Sequence, residues 1–385
     1  MRLKVAIVQI NSILGQPQQN ITKINNLLST IKSKGQKFPD LVLFSELAIT
    51  GYNFSSSSHI RPFLESTKQG EFGASLNFAH ELSLKYGCFT VMGYPEIAKA
   101  DRQYNVNDDY RREEEESGEG IIYNSCAVFN RRGELVYNYR KTFLYETDEK
   151  WGCLENPQKG FPSVELDFGH DNKVKDDIKD GDDIKDGDDI KGKDVFKDED
   201  DIKGEDGTKD GNRVCCNFGI CMDLNPYKFE APFNKFEFSI ASYENKSKLI
   251  ICPMAWLSQQ SPSINKELSK QEKLDQAINV KLSSTANNET INYWILRFFP
   301  FLKHKFSIMP KWWSSTEKVN VLICNRVGRE DDVIYGGSSC ILQFNNKDVG
   351  TGGDYDAIDE SNPSVEVVGR LSQSEEGILV EEIDI

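Results

Sequence analysis

Short apolar runs alternating with helix-spaced segments are what most narrows the folds open to this chain. Residues 3–10, Leu-Lys-Val-Ala-Ile-Val-Gln-Ile, read as a strand with a buried apolar face, and Leu41-Val42-Leu43-Phe44 reads as a second, apolar throughout. Between them, Ile21 to Ile31 place apolar residues at helical spacing. Leu76 to Tyr86 is another amphipathic helix, ending at Gly87, which suits a C-cap, and residues 88–93 return to a strand pattern. This alternation predicts an α/β domain. Further on, strand 125–130 and Leu135–Tyr139 form a hairpin around the turn Arg131-Arg132-Gly133, opened by Tyr123-Asn124-Ser125. A turn through Gly336 and Gly337 feeds strand 340–344, and Ile378–Ile383 is the last strand.

With 385 residues, 38% of them hydrophobic, the chain can bury a large core as one big domain or two. The formal charge of −15 is concentrated in two places. Segment 171–211 has 17 acidic residues and 9 lysines, and segment 101–118 has 7 acidic residues and 3 arginines, so about −3 is left for everything else. The first of these repeats Asp-Asp-Ile-Lys-Asp-Gly over Asp176–Gly192. One isoleucine every six residues cannot build a core against that much charge, so 171–211 is expected to be disordered. It lacks the spacing and closing glutamate of a calcium loop and is not read as a metal site. Segments 258–318, polar and then aromatic-rich, and 347–365, polar, read as further inserts. No basic patch offers a nucleic-acid surface. No apolar run approaches the ~20 residues that span a bilayer. The N-terminus enters a strand directly, without a signal or transit pattern, so a soluble cytoplasmic protein is expected. Nine cysteines without framework spacing read as reduced thiols.

Three chemically capable residues stand at strand ends, in the order Glu46, Lys141, Cys221. Glu46 follows Leu41–Phe44, Lys141 follows Tyr139-Arg140, and Cys221 follows Phe218-Gly219-Ile220 and precedes Met222-Asp223-Leu224-Asn225-Pro226. A cysteine at a strand-to-turn junction is a common way to expose a nucleophile. Each residue alone has an ordinary reading, as a buried small hydrophobe or a surface charge; their joint pattern points to a hydrolase. Cys215, Cys216 and Cys252 read as packing. The four histidines, His59, His80, His170 and His304, avoid the strand-end blocks, which argues against a papain-like couple. The glycines at 336–337 lack the lysine and helix of a phosphate loop.

These residues resemble the Glu-Lys-Cys triad of the carbon-nitrogen hydrolases, the nitrilase superfamily. Five blocks in order, 138–151, 219–238, 252–257, 293–302 and 324–339, resemble the fungal branch that deamidates N-terminal asparagine and glutamine of proteins. The resemblance implies a single α/β domain over 1–385, a four-layer αββα sandwich carrying acidic low-complexity inserts. It also implies hydrolysis without metal or cofactor through a cysteine thioester, releasing ammonia and feeding the N-degron degradation pathway. Cys221 would attack, Glu46 would serve as base and acid, and Lys141, helped by the backbone N–H of Met222, would hold the oxyanion. Glu149, eight residues after Lys141, matches the position of a second glutamate in the family. The expected partners are proteins or peptides with N-terminal Asn or Gln. Many superfamily members pair through their sandwiches, a contact the inserts here can obstruct.

For substrate binding, Asp223 is a candidate partner of the substrate α-ammonium, with a turn-capping role as its equal alternative. Tyr52 and Trp256 are candidate pocket walls. Two other functions stay open at this point: a small-molecule ω-amidase or carbamoylase of the same superfamily, and a non-catalytic scaffold built around the acidic inserts.

Overall fold

The computed structural model describes residues 1–33, 37–99, 120–169, 212–307, 309–347 and 355–385. The acidic segments expected at 101–118 and 171–211, and residues 348–354 of the polar loop, lie outside them. Two six-stranded mixed sheets carry the fold. The first runs in the order β14 (Gly377–Asp384), β1 (Arg2–Gln9), β2 (Leu41–Phe44), β3 (Phe89–Ala98), β4 (Ile121–Phe129) and β5 (Leu135–Arg140). The second runs β13 (Val365–Arg370), β12 (Cys340–Asn345), β9 (Lys318–Cys324), β8 (Leu249–Pro253), β7 (Arg213–Phe218) and β6 (Ser163–Asp167). A small ladder joins β10 (Arg329–Glu330) to β11 (Val333–Ile334).

Both sheets share one plan. Three adjacent parallel strands, β1-β2-β3 and β7-β8-β9, are flanked by antiparallel neighbours on either side. Parallel neighbours need crossovers, and helices supply them. Among the helices, α1 (Pro17–Ser33), α2 (Ser57–Ile60) and α3 (Ala74–Tyr86) lie in the first half. A short α4 (Glu146–Lys150), then α5 (Glu237–Glu244), α6 (Lys270–Asn279) and α7 (Asn288–Arg297) follow.

The two-residue period of a strand sorts side chains between layers. Val5 and Ile7 of β1, with Leu41 and Leu43 of β2, join the core shared with Val214, Cys216 and Phe218 of the opposite sheet. Their neighbours Ala6, Val8, Val42 and Phe44 face the other way, onto Ile24 and Leu28 of α1 and Leu76 and Ala79 of α3. Phe238 and Tyr243 of α5 and Ile291 and Trp294 of α7 pack into the core of the second sheet. The result is the α/β four-layer sandwich, helices outside and sheets within.

The aromatic-rich run in 258–318 is built into this core. Trp294, Phe298 and Phe301 are fully buried, whereas most of α6 is exposed. Strand β4 also begins earlier than its sequence pattern predicts, at Ile121, so that Asn124 sits inside a strand facing the site.

Packing around the end of β2 is tight. A Cβ placed on Gly93 of β3 would lie 2.9 Å from the Glu46 Cα and the Leu47 amide nitrogen. Only a glycine lets the turn carrying Glu46 rest on β3. Gly93→Ala is expected to cost about 1–3 kcal/mol through overpacking, read as a lowered thermal-unfolding midpoint, with a loss of activity larger than the change in folded fraction.

Candidate active site

The centre of the site is a buried ammonium held by two carboxylates. Lys141, immediately after β5, donates through Nζ to Glu46 Oε1 and to Asp148 Oδ2, each at 2.7 Å. All three side chains are shut off from solvent. Asn124 of β4 braces the cluster, its Nδ2 donating to Glu46 Oε1 at 2.7 Å and Asp148 Oδ1 at 2.9 Å. Both amide hydrogens are thus used, and the opposite amide orientation would face two carboxylates with an oxygen. Asp148 also accepts from the Tyr145 amide at 2.8 Å and the Tyr52 hydroxyl at 3.0 Å. The Ala255 amide, just past β8, donates to Glu46 Oε2 at 2.8 Å and ties Glu46 to the opposite sheet.

Electrostatics follow from this burial. Burial pushes the Glu46 carboxyl upward; Lys141 opposes the shift, Asp148 reinforces it, and the net direction is up. Burial works against the Lys141 charge, but Asp148 and Glu46 outweigh it and hold the ammonium well above its ordinary value. The Cys221 thiol is raised well above its ordinary value by burial and by the Glu46 charge, against the pull of Lys141. Cys221 therefore rests as a thiol, beside a lysine that keeps its charge.

Cys221 stands where β7 ends, at φ +44, and opens a one-turn 3-10 helix, Cys221–Leu224. A left-handed backbone at a residue bearing a side chain costs on the order of 1–3 kcal/mol and persists only where its surroundings impose it. Here Asp223 imposes it. Its carboxylate accepts from Ile220 N at 2.7 Å, Thr142 N at 3.1 Å, Phe143 N at 2.7 Å and the Tyr139 hydroxyl at 2.9 Å. One buried side chain thus pins the cysteine turn to the lysine turn. Its own pKa is raised to about 7 by burial, against those hydrogen bonds. Asp223 is therefore not a partner for a substrate α-ammonium: it is 1% exposed and its oxygens are spent on the protein's own donors.

Glu149 is likewise not beside the lysine. In α4 its side chain is exposed, while the preceding residue, Asp148, turns inward. The second carboxylate stands seven residues after Lys141, not eight. Asp148 and Asn124 are the site groups that the sequence pattern did not single out. The signal for Asp148 is the N-terminal turn of α4, where an acidic side chain can cap the Tyr145 amide.

A pocket of about 180 Å³ opens on Cys221, walled by Met222, Tyr52, Tyr145, Asn225 and Trp256 among others. Tyr52 is held from behind: Glu330, buried and paired with Arg326 at 2.7 Å, accepts from the Tyr52 and Asn53 amides. Gly51, at φ +80, passes so close to Glu330 and Leu14 that a Cβ would lie 2.7 Å from each. Trp256 is fixed through its backbone, since Asn325 both accepts from its N–H at 2.7 Å and donates to its carbonyl at 3.1 Å. A thiol, a carboxylate base, a fixed cation and a pocket of side-chain size can together open a carboxamide by covalent catalysis. Among the described residues, no group of His, Cys, Asp and Glu is arranged to hold a metal.

Comparison with known proteins points the same way. The carbon-nitrogen hydrolase family model matches residues 4–175. The chain is 30% identical to the protein N-terminal amidase of Saccharomyces cerevisiae, across 99% of this chain and 95% of that protein. It is 28% identical to the protein N-terminal amidase of Schizosaccharomyces pombe, across 89% and 91%. A crystal structure of N-terminal amidase with a Gln-Gly peptide matches at TM-score 0.70 and 26% identity, covering 99% of this chain and 97% of that one. Another, with an Asn-Glu-Ala peptide, matches at 0.70 and 28% with the same coverage.

The two neighbouring acids of α4 give a direct test of the geometry. Asp148→Asn removes the second anchor of Lys141 and is expected to lower kcat about 100-fold or more, the order of effect that misplacing a catalytic group produces. Glu149→Gln, altering an exposed side chain, should stay within about twofold of wild type. Steady-state ammonia release by the two variants decides the matter, and equal losses would return Glu149 to the site.

Proposed function

This chain belongs to the carbon-nitrogen hydrolase family, and we propose that it acts on protein N-termini, converting an N-terminal asparagine or glutamine to aspartate or glutamate with release of ammonia. The observation that carries the reading is Cys221, at its left-handed turn, opening into a side-chain-sized pocket against the buried Glu46–Lys141–Asp148 cluster. The peptides bound in the related crystal structures supply the substrate class.

The roles follow from position and charge. Cys221 Sγ attacks the side-chain amide carbon while Glu46 takes the thiol proton. The carbonyl oxygen becomes an oxyanion beside Lys141 Nζ, aided by the Met222 backbone N–H. Glu46 passes its proton to the nitrogen, the C–N bond breaks, ammonia leaves and a thioester remains. Water, deprotonated by Glu46, then attacks the thioester; the C–S bond breaks and the thiol is restored. Asp148 holds Lys141 in place, and Asn124 keeps both carboxylates turned toward it. Tyr52 and Trp256 wall the pocket in which the first residue sits. Each proton that leaves one heavy atom arrives on another, and no outside oxidant or reductant is needed.

We propose the cytoplasm as the place of action, a reducing compartment that suits nine cysteines without framework spacing. There its products would enter the N-degron pathway. Among the described residues, no helix is long and apolar enough to cross a membrane.

Ammonia release from matched peptides beginning Asn-, Gln- and N-acetyl-Asn-, with free asparagine and glutamine alongside, tests the reading. Turnover confined to the free-amine peptides, and abolished in Cys221→Ala, is the expected result. Equal turnover of free amides would instead favour a small-molecule amidase, and no turnover at all a scaffold.

The pH profile gives a second check. Glu46 works as the carboxylate, and its upward shift places the acid limb of kcat/KM above the ordinary glutamate value of about 4.3. Activity should fall as pH drops through that limb. Asp148 raises Glu46, so Asp148→Asn should move the limb to lower pH whatever its effect on the maximum rate; a limb that stays put would separate Asp148 from the base.

A further inference from the structure

The pocket at Cys221 shares its outer wall with a larger basin. Tyr52, Tyr145, Phe229, Leu257 and Ile264 line the small pocket and also a second cavity of about 590 Å³. At this neck two large apolar side chains are left in water, Phe229 61% exposed and Ile264 49% exposed. Phe229 and the preceding Lys228 are both left-handed, at φ +56 and +54. An apolar rim around a concave opening marks a surface built to be covered.

The basin beyond the neck is lined by four lysines, 150, 266, 270 and 273, in a chain whose formal charge is −15. Three acids, Glu146, Asp331 and Asp332, stand among them. Lys270 is paired with Asp332. Lys266 lies 3.4 Å from Glu146, an exposed pair that holds neither charge tightly. Lys273 donates to the Ser263 carbonyl at 3.2 Å, which leaves its charge uncancelled. Lys150 has no hydrogen-bond or ionic partner among the described residues. Two cations without an ionic partner thus face one such acid, Asp331.

Granted the N-terminal amidase reading, we infer that this basin receives residues two to five of the substrate peptide and selects acidic over basic side chains there. The geometry requires the chain to leave through the neck, because the first side chain occupies the pocket floor at Cys221. An extended peptide advances about 3.3–3.6 Å per residue, so the second residue meets the apolar neck and the next ones enter the lysine-lined space. Binding at these remote positions supplies affinity that the small first residue cannot supply alone.

The test uses Asn-Gly-Glu-Glu-Ala, Asn-Gly-Lys-Lys-Ala and Asn-Gly, with the full-length wild type and the double variant Lys150→Glu, Lys266→Glu. At low ionic strength the Glu peptide should exceed the Lys peptide about tenfold in kcat/KM, chiefly through KM, and high salt should shrink the gap. The double variant should invert the order. That ratio does not depend on how much of the variant is folded and active. Equal kcat/KM for the two long peptides, with Asn-Gly turned over by wild type, would overturn the basin assignment and leave the proposed reaction standing. A preference that survives charge reversal would overturn it too. If free asparagine were hydrolysed and no peptide were, both would fall together.

Discussion

A single ammonium, Lys141 between Glu46 and Asp148, is the interaction on which this site depends. Burying three charges without water costs several kcal/mol per ion, which is recovered only if each is paired and its remaining hydrogen-bonding capacity is used. That condition is met closely. Asp148 accepts from four donors, and Glu46 from Lys141, Asn124 and the Ala255 amide. The cluster still has more negative than positive charge, and Asn124 offsets this with two donors and no charge of its own. Replacing it with an apolar residue would leave Glu46 Oε1 with Lys141 alone and Asp148 Oδ1 with the Tyr52 hydroxyl alone; replacing it with Asp would add a third anion to a single cation.

The cluster is built on the first sheet, but it is tied to the Ala255 amide and faces the Cys221 turn of the second, so the site exists only when the halves are correctly docked. Glu46 belongs to the first sheet and yet its amide reaches Met254 O at 3.4 Å, while its carboxylate takes the Ala255 amide. Asp223 works in the opposite direction, starting from the second sheet and accepting from Thr142 and Phe143 beside Lys141. Each is a buried acid that uses backbone amides of the facing sheet. These crossings fix how the strand ends sit against one another more sharply than apolar packing does, because a hydrogen bond weakens steeply with angle and distance.

Much of this architecture was legible in the sequence. The apolar runs at 3–10, 41–44, 88–93 and 340–344 and the helical spacings at 21–31 and 76–86 correspond to elements of the fold, since each is dictated by local period and burial. Strand-end positions for Glu46, Lys141 and Cys221 were readable for the same reason. What failed were statements about which way a side chain points. Glu149 and Asp148 are adjacent in a one-turn helix, where a shift of one residue rotates a side chain by about 100°. Only the tertiary placement of α4, with Asp148 meeting Asn124 of β4 and Lys141 just past β5, decides which of them faces inward. Asp223 had the charge for a substrate contact, but only its cap on Ile220 N is local; the other three donors that claim it come from residues 139–143, some eighty positions earlier, beyond the reach of any local pattern. The burial of Asn124 likewise depends on β4 beginning at Ile121 and on two partners distant in sequence.

The directions of the Glu46 and Cys221 shifts explain why so much structure is committed to one lysine. Raising the thiol alone would bury an unreactive cysteine, and raising the carboxylate alone would make a base that is protonated too readily. The same burial raises both, and the Glu46 charge adds to the rise of the thiol while Lys141 opposes it in each. The cluster already holds an excess negative charge, so a free thiolate beside it is disfavoured. In the mechanism we propose, attack is then best coupled to proton transfer: negative charge would pass from the Glu46 carboxylate to the substrate oxygen as the proton passes to Glu46. Lys141 touches Glu46 directly and influences Cys221, so in that proposed sequence the cation would already be in place for the charge at each stage, with no solvent having to reorganise to follow it.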